Sequence, residues 1–204
     1  QPNFHVRIHE NTPKAFYDEV IRIHFGAGSA PAMYNDETII ESMMNVGYSL
    51  EDARNYVAIG CVEPTAPGKS LASTDAGMYN MPLAVEMALN EGKQFHSSKQ
   101  IGAKTPPVSE MRSMDDFVAA YDTQVKHQLG KLRRDLEAIE RFHAEHHPTP
   151  LTSSMVEGCV EQGVCSTSGG AIYNFSGIQG CGMATVADSL GAIESAVFDD
   201  GWLT

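Results

Sequence analysis

The chain has 204 residues, with 14 Lys and Arg against 26 Asp and Glu, a formal net charge of −12. Such an acidic chain offers neither the basic face that nucleic acid requires nor attraction to anionic lipid, so neither is an expected partner. No apolar run approaches the roughly 18 residues needed to span a bilayer, and the first residues do not read as a signal peptide. A single core of this size is physically reasonable. Cys61, Cys159, Cys165 and Cys181 form no Cys-x-x-Cys pair. They therefore read as reduced thiols of a cytoplasmic chain, with no zinc site or redox dithiol expected.

Phe4 to Ile8 alternates apolar and polar side chains, the period of a half-buried strand. Asn11-Thr12-Pro13 predicts a helix start, with Thr12 as N-cap and Pro13 as the first helical residue. Phe16, Val20 and Ile23 share one face of that helix, and Gly26 and Gly28 end it. Ser29 to Tyr34 predicts an extended piece. Asn35 then caps a second helix carrying Ile39, Ile40, Met43 and Met44, which stops at Gly47. Ser49-Leu50-Glu51-Asp52 has capping-box spacing for one short helix. Tyr56-Val57-Ala58-Ile59 is an apolar run that predicts a buried strand, punctuated by Gly60 and Pro64.

Pro67 to Asp75 predicts a loop, and Asn80 or Met81 a helix start with Pro82 in its first turn and Gly92 at its end. Ser113-Met114-Asp115-Asp116 opens a long amphipathic helix through Phe117, Ala120, Tyr121, Leu129, Leu136 and Ile139, closing at His143, His146 and His147 before Pro148. Leu151 to Glu161 predicts one short helix. Ile172 to Phe175 predicts a strand, Gly177, Gly180 and Gly182 a flexible turn, and Val186 to Phe198 a final helix. Helices and strands alternate without linker or repeat, which predicts one α/β unit with parallel-type crossovers across residues 1–204.

The stretch Ile59-Gly60-Cys61-Val62-Glu63-Pro64 presents a thiol and a carboxylate two positions apart at a strand-held loop, a common place for chemistry. It resembles the cysteine loop of the glycyl radical enzymes, the superfamily that includes pyruvate formate-lyase. The match is to the single-cysteine Cys-Val-Glu-Pro branch of diol dehydratases and C–S and C–N lyases. The resemblance extends through Ala32-Met33-Tyr34-Asn35-Asp36 upstream and Gly169-Gly170-Ala171 and Asn174-Phe175-Ser176-Gly177 downstream. It implies that residues 1–204 are part of a ten-stranded α/β barrel, with the cysteine loop at 59–75 threading its centre. Family members are several times longer. The chain begins at Gln1, so an internal piece is expected, lacking the C-terminal domain whose Arg-Val-x-Gly-Tyr loop carries the radical glycine.

Taken alone, Cys61 reads as a buried small hydrophobe. The resemblance instead implies a thiyl radical that abstracts a hydrogen atom from substrate. A nucleophilic cysteine wants a nearby cation or helix N-terminus. Here the nearest charged residue in sequence is Glu63, which favours an intact S–H, the form that hydrogen-atom transfer uses. Glu63 reads either as a structural carboxylate bonded to loop amides or as a general base. Thr74 and Asp75 read as an N-cap or Asx-turn pair. The resemblance implies that Asp75 contacts substrate hydroxyls, as in the diol-dehydratase-like members, and it places Thr74 where the choline lyase has threonine. His96 is a solvated loop histidine or a proton relay to Glu63. The histidines at 143, 146 and 147 complement a helix dipole, and Cys159, Cys165 and Cys181 are packing residues.

The function these readings imply is a glycyl radical lyase or dehydratase acting on a small vicinal diol or hydroxy-sulfonate. Arylacetate decarboxylation and a catalytically silent structural fragment are the alternatives. No cofactor or metal is expected on this chain. The resemblance implies a glycyl radical installed by an activating enzyme that uses S-adenosylmethionine and an iron–sulfur cluster. Further expected partners are a small-molecule substrate, the remainder of the parent polypeptide and a second copy in a homodimer. The expected setting is anaerobic, in the cytoplasm or a bacterial microcompartment.

Overall fold

A computed structural model describes residues 3–28, 30–71 and 73–202. The chain forms two compact units, Gln1–Asp75 with Phe142–Gly177, and Ala76–Arg141 with Ile178–Thr204.

In the first unit, β1 (His5–Ile8) pairs in parallel with β2 (Ala32–Asn35), Arg7 opposite Tyr34, and α1 (Lys14–Ala27) makes the crossover. The start of α1 differs from the expected cap. Pro13 is itself the N-cap residue, and Thr12 instead accepts the His9 N–H at 2.9 Å, closing the preceding turn. Asn35 caps α2 (Asp36–Asn45) through the Thr38 N–H, as its sequence position predicts. Ser49 caps α3 (Leu50–Arg54) by accepting the Asp52 N–H.

The box at α3 is not reciprocal, because the Asp52 carboxylate has other partners. It accepts from Lys69 Nζ at 2.7 Å, from the Tyr173 hydroxyl at 2.7 Å and from Ser49 Oγ at 2.8 Å. One buried carboxylate thereby joins segments 121 residues apart. The Lys69 bond chiefly, with Tyr173 next, holds the Asp52 carboxyl down at about 2 against the opposing effect of burial.

A second ionic knot secures the strand that precedes the cysteine loop. Arg7 forms a two-pronged bridge to Asp36, Nε–Oδ1 and Nη2–Oδ2 both at 2.8 Å, and stacks 4.0 Å over the Tyr56 ring. The Tyr56 hydroxyl donates to Asp36 at 2.7 Å, and Arg7 also donates to the Arg54 and Tyr56 carbonyls. Burial pushes the Asp36 carboxyl up, but Arg7 and Tyr56 outweigh it and hold it below the usual range. Around this knot Tyr34, Met43, Tyr48, Ala53, Tyr56 and Ala66 form the core. β3 (Val57–Ile59) then turns back antiparallel as β4 (Glu63–Thr65), Ile59 opposite Glu63.

Further along, the single helix expected over Leu151–Glu161 is two. α6 (Pro150–Ser153) ends, and α7 (Cys159–Gln162) begins again, because the Glu157 N–H is taken by the Gly68 carbonyl and the Gly158 N–H by the Glu161 side chain. The strand expected at Ile172–Phe175 reduces to one bridge between Tyr173 and Ser70.

In the second unit, β5 (Gly77–Asn80) pairs in parallel with β6 (Ile178–Cys181). A strand thus occupies part of the stretch where glycines predicted a flexible turn. α4 (Met81–Leu89), α5 (Met114–His146) and α8 (Met183–Ile193) follow the predicted helices, although α8 starts three residues before Val186 and gives way to a wider turn at Glu194–Asp199. Val85, Ala88, Phe117, Ala120 and Val186 make this unit's core. The fully buried Gln124 ties down Ala103, accepting its N–H at 2.9 Å and donating to its carbonyl at 2.7 Å. Among the described residues no helix is long and apolar enough to cross a membrane.

The depressed Asp52 carboxyl sets a pH window. Its contribution is present above the ordinary carboxyl range near 4 and is lost as pH falls toward about 2. Unfolding of the full-length protein and its Asp52→Asn variant is expected to differ at pH 5, with wild type more stable. The difference should shrink steadily from about pH 4 to about pH 2. A constant difference across that range would show that Lys69 and Tyr173 do not act through the ionised carboxylate.

Candidate active site

The β3–β4 hairpin turns through Gly60, Cys61 and Val62. The turn is closed from inside by the carboxylate of the residue that begins the return strand. Glu63 Oε2 accepts the N–H groups of Cys61 and Val62, both at 2.9 Å. Two consecutive amides on one charged oxygen are strong, directional bonds. They make the structural reading of Glu63, a carboxylate bonded to loop amides, correct for that oxygen. Gly60 has φ +60°, and a Cβ there would stand 2.7 Å from Glu63 Oε2. Only glycine suits both the left-handed backbone and the carboxylate's close approach.

From the other side, β1 and its approach hold the carbonyls of the turn. Asn3 Nδ2 donates to the Gly60 carbonyl at 2.6 Å, and His5 Nε2 bonds the Cys61 carbonyl. The tip is therefore fixed by its backbone, with the Cys61 side chain displayed and exposed. Cys61 is thus not the buried hydrophobe that its residue type alone suggests. Glu63 is only 7 % exposed.

Tyr34 joins this group by proximity. Its ring meets His5 edge-on at 5.5 Å. Burial chiefly pushes its phenol up, and the Glu63 carboxylate adds to that.

Thr74 and Glu63 both line a mainly apolar cavity of about 470 Å³ walled by Ile39, Met43, Tyr48 and Phe175. Tyr48, Tyr173 and Phe175 pack as one aromatic group, with Tyr48 and Tyr173 centroids 4.3 Å apart. The loop bearing Thr74 is held by the Asn174–Gly177 segment. The Gly177 N–H donates to the Ser73 carbonyl at 2.9 Å, and a Cβ at Gly177 would meet the Thr74 carbonyl at 2.1 Å. Asp75 is exposed, and neither it nor Cys61 is on the cavity lining.

His96 is exposed in a turn of the second unit beside Phe95, whereas Glu63 belongs to the first. His143 and His146 lie in the last turn of α5, where Phe142 packs against the His143, His146 and His147 rings. No group of three or more metal-ligating side chains is assembled among the described residues.

Cys159 is buried, as a packing residue should be, whereas Cys181 is exposed and does not meet the packing expectation. Cys165 departs from the packing expectation. Its sulfur accepts the Thr149 N–H at 3.1 Å and contacts the hydroxyls of Ser153, Thr167 and Thr149 at 3.2, 3.3 and 3.5 Å. Ser153 foremost, then Thr149 and Thr167, hold this thiol down at about 5. Sequence spacing carries no signal for it, because the donors come from residues 12 to 16 positions upstream as well as from the next turn.

The sequence profile of the family described as pyruvate formate lyase-like matches residues 1–204. The chain is 38 % identical over 198 residues to a (2S)-3-sulfopropanediol dehydratase of Klebsiella oxytoca, covering 96 % of this chain and 24 % of that protein. It is 37 % identical over 199 residues to a trans-4-hydroxy-L-proline dehydratase of Clostridioides difficile, covering 98 % and 25 %. The glycerol-bound structure of the B12-independent glycerol dehydratase of Clostridium butyricum superposes with a TM-score of 0.87 at 41 % identity, covering all of this chain and 26 % of that one. The chain thus spans about a quarter of the length of these relatives.

Gly60→Ala in the full-length protein is expected to destabilise it by about 1–2 kcal/mol from left-handed strain alone. It should also expose the Cys61 and Val62 amides to faster hydrogen exchange as the Glu63 carboxylate is displaced. Gly26→Ala is the control. That glycine is helical with open space around it, so alanine there should be neutral or stabilising. Unchanged exchange at the tip in Gly60→Ala would mean that the carboxylate clamp does not depend on glycine.

Proposed function

Because the chain belongs to the pyruvate formate lyase-like family, we propose that it is the cysteine-loop portion of a glycyl radical lyase or dehydratase acting on a small hydroxylated substrate, a vicinal diol or a hydroxy-sulfonate. The observation that carries the reading is the hairpin itself. Cys61 is displayed at the tip, and the carboxylate two residues on is bonded to the Cys61 amide, so thiol and base move as one rigid piece. The relatives named above are dehydratases of a sulfopropanediol, a hydroxyproline and glycerol, all hydroxylated molecules.

A glycyl radical elsewhere in the parent enzyme, installed by an activating enzyme with S-adenosylmethionine and an iron–sulfur cluster, supplies the unpaired electron. The rest is the work of this chain's residues. Cys61, as thiyl, takes a hydrogen atom from the carbon bearing a substrate hydroxyl, forming S–H and leaving a carbon radical. Glu63 takes the proton of that hydroxyl. The resulting ketyl radical anion expels the group on the adjacent carbon. For a diol, the proton on Glu63 balances the hydroxide that leaves as water. The product radical then recovers a hydrogen atom from the Cys61 S–H, restoring the thiyl. Asp75, exposed beside Thr74 in the same loop, is the candidate contact for substrate hydroxyls. A homodimer in an anaerobic cytoplasm or a microcompartment is the proposed setting.

Cys61→Ser in the activated full-length enzyme is expected to abolish turnover, because an O–H bond is too strong for reversible hydrogen transfer. Turnover by a radical-containing Cys61→Ser preparation would defeat the radical assignment. Glu63→Gln should lose at least about 10²-fold in turnover, the scale of a general base, while the radical signal still forms. Wild-type rates would leave Glu63 a structural residue only.

Asp75→Asn separates substrate classes. A charge-assisted hydrogen bond is worth roughly 1.5–3 kcal/mol against about 1 for a neutral one. About tenfold is therefore expected to be lost in specificity for a diol. The assay is a panel of propanediol, glycerol, dihydroxypropanesulfonate, isethionate, choline and hydroxyphenylacetate. Turnover of the aryl acid alone, unharmed by Asp75→Asn, would replace this reading with arylacetate decarboxylation.

A further inference from the structure

The thiol at the tip of the hairpin is aimed through its main chain. Among the described residues the hydrogen bonds of Cys61 are those of its own peptide groups, its N–H to Glu63 Oε2 and its carbonyl to His5 Nε2. Two peptide planes flank the Cys61 Cα. The first is held at both ends, its Gly60 carbonyl by Asn3 at 2.6 Å and its Cys61 N–H by Glu63 at 2.9 Å. The second is held by His5 at the Cys61 carbonyl and by Glu63 at the Val62 N–H. With both planes fixed, φ and ψ of Cys61 are fixed, and χ1 alone is left to place the sulfur.

The donors to these carbonyls come from one face of the first strand. The Phe4 carbonyl accepts the Ala32 N–H, so pairing with β2 begins just ahead of β1. Side chains two apart along an extended chain share a face, which puts Asn3, His5 and Arg7 in one row. Each donates to main-chain carbonyls between Arg54 and Cys61. Arg7 serves those of Arg54 and Tyr56, Asn3 that of Gly60 and His5 that of Cys61. A carbonyl only accepts, so His5 Nε2 carries a proton. Tyr34, a buried residue of β2, steadies the His5 ring edge-on at 5.5 Å. The Arg7 bonds hold the start of a strand, as any fold requires. The His5 bond is made to the residue that bears the thiol, at an exposed tip where water serves a carbonyl nearly as well. Stability gains little from it there, and what it supplies is direction.

We infer that His5 is a positioning residue for hydrogen-atom transfer at Cys61, its Nε2–H orienting the second peptide plane and through it the sulfur. The inference rests on the reading of Cys61 as the reacting thiol. A hydrogen atom crosses between carbon and sulfur twice in each turnover, and it does so only over a short gap. Misplacement of a reacting atom by 1 Å costs on the order of 10²-fold in rate. Without His5 the second plane keeps its Val62 N–H bond to Glu63, so a smaller loss follows. The bond acts on the transfer step and contributes nothing to holding substrate.

The test compares His5→Phe and His5→Gln with wild type and Cys61→Ser in the full-length activated enzyme. The substrate is whichever of the panel wild type turns over, with and without deuterium on the carbon bearing the hydroxyl. Phenylalanine keeps a ring against Tyr34 but has no donor, whereas glutamine places an N–H the same number of bonds from Cα. For His5→Phe a fall of about tenfold in kcat is expected, with KM changed less than twofold, a larger deuterium isotope effect on kcat, and radical content and thermal stability close to wild type. His5→Gln should recover most of the lost kcat. Wild-type kcat and isotope effect in His5→Phe, with Cys61→Ser inactive, would overturn this inference and leave the reaction assignment standing. Equal losses in both variants, or a loss that tracks stability or radical content, would also overturn it, because the ring would then be structural. Turnover by Cys61→Ser would instead remove the reading beneath it, whatever the His5 variants do.

Discussion

A single carboxylate oxygen accepting two consecutive backbone N–H groups is the constraint on which the cysteine loop depends. Glu63 Oε2 holds the Cys61 and Val62 amides, Gly60 makes room for it, and Asn3 and His5 hold the carbonyls on the other side. The two peptide groups flanking Cys61 thus have partners that are not water on both their N–H and C=O sides, which a tip carrying an exposed thiol would otherwise lack. The arrangement also couples chemistry to structure. A group that serves as a base must present an oxygen, and this one has an oxygen engaged in holding the turn that displays the thiol.

The hairpin is anchored by charges placed behind it. Arg7, Asp36 and Tyr56 join β1, α2 and the residue before β3 in one bonded cluster, and Asp52 does the same for α3, Lys69 and Tyr173. Both carboxylates are largely buried and multiply bonded, the condition under which buried charge is tolerated. An apolar core alone would leave strands of three or four residues free to slide. Directional bonds from Arg7 to the Arg54 and Tyr56 carbonyls fix where β3 begins, and with it where the Cys61 turn falls.

Much of this was legible in the residues. Alternation in Phe4–Ile8, the Asn35 and Ser49 caps and the apolar run before Gly60 all carry local signals, and the elements they predict are present, although the strand before Gly60 is exposed at Val57 and half-buried beyond it, not buried as its apolar run suggests. The likeness to the glycerol dehydratase structure makes the chain one part of the family's barrel fold. What failed was decided by partners outside the pattern that was read, one of them local and the others distant. Thr12 caps a turn because His9 lies near it, and the Leu151–Glu161 helix breaks because Gly68 takes an amide. The Gly177–Gly182 stretch becomes strand because Gly77–Asn80 is there to pair with it. The same limit applies at the site. The Cys-x-Glu spacing points to the loop, but no spacing places Tyr34 beside it or gathers three hydroxyls around Cys165.

The two thiols show how surroundings select chemistry. Cys165 sits among hydroxyl and amide donors, the setting that favours an anion and ionic reactivity. The bonds Cys61 makes run through its backbone, N–H to Glu63 and C=O to His5. Its charged neighbour is a carboxylate held against the same turn, the opposite of what a thiolate wants. A loop built for nucleophilic attack would exchange these positions, with donors on the reactive sulfur and the carboxylate elsewhere. Fixing the backbone, with no cation on the sulfur among the described residues, would suit a residue proposed to give up and recover a hydrogen atom in place. There, position matters more than charge.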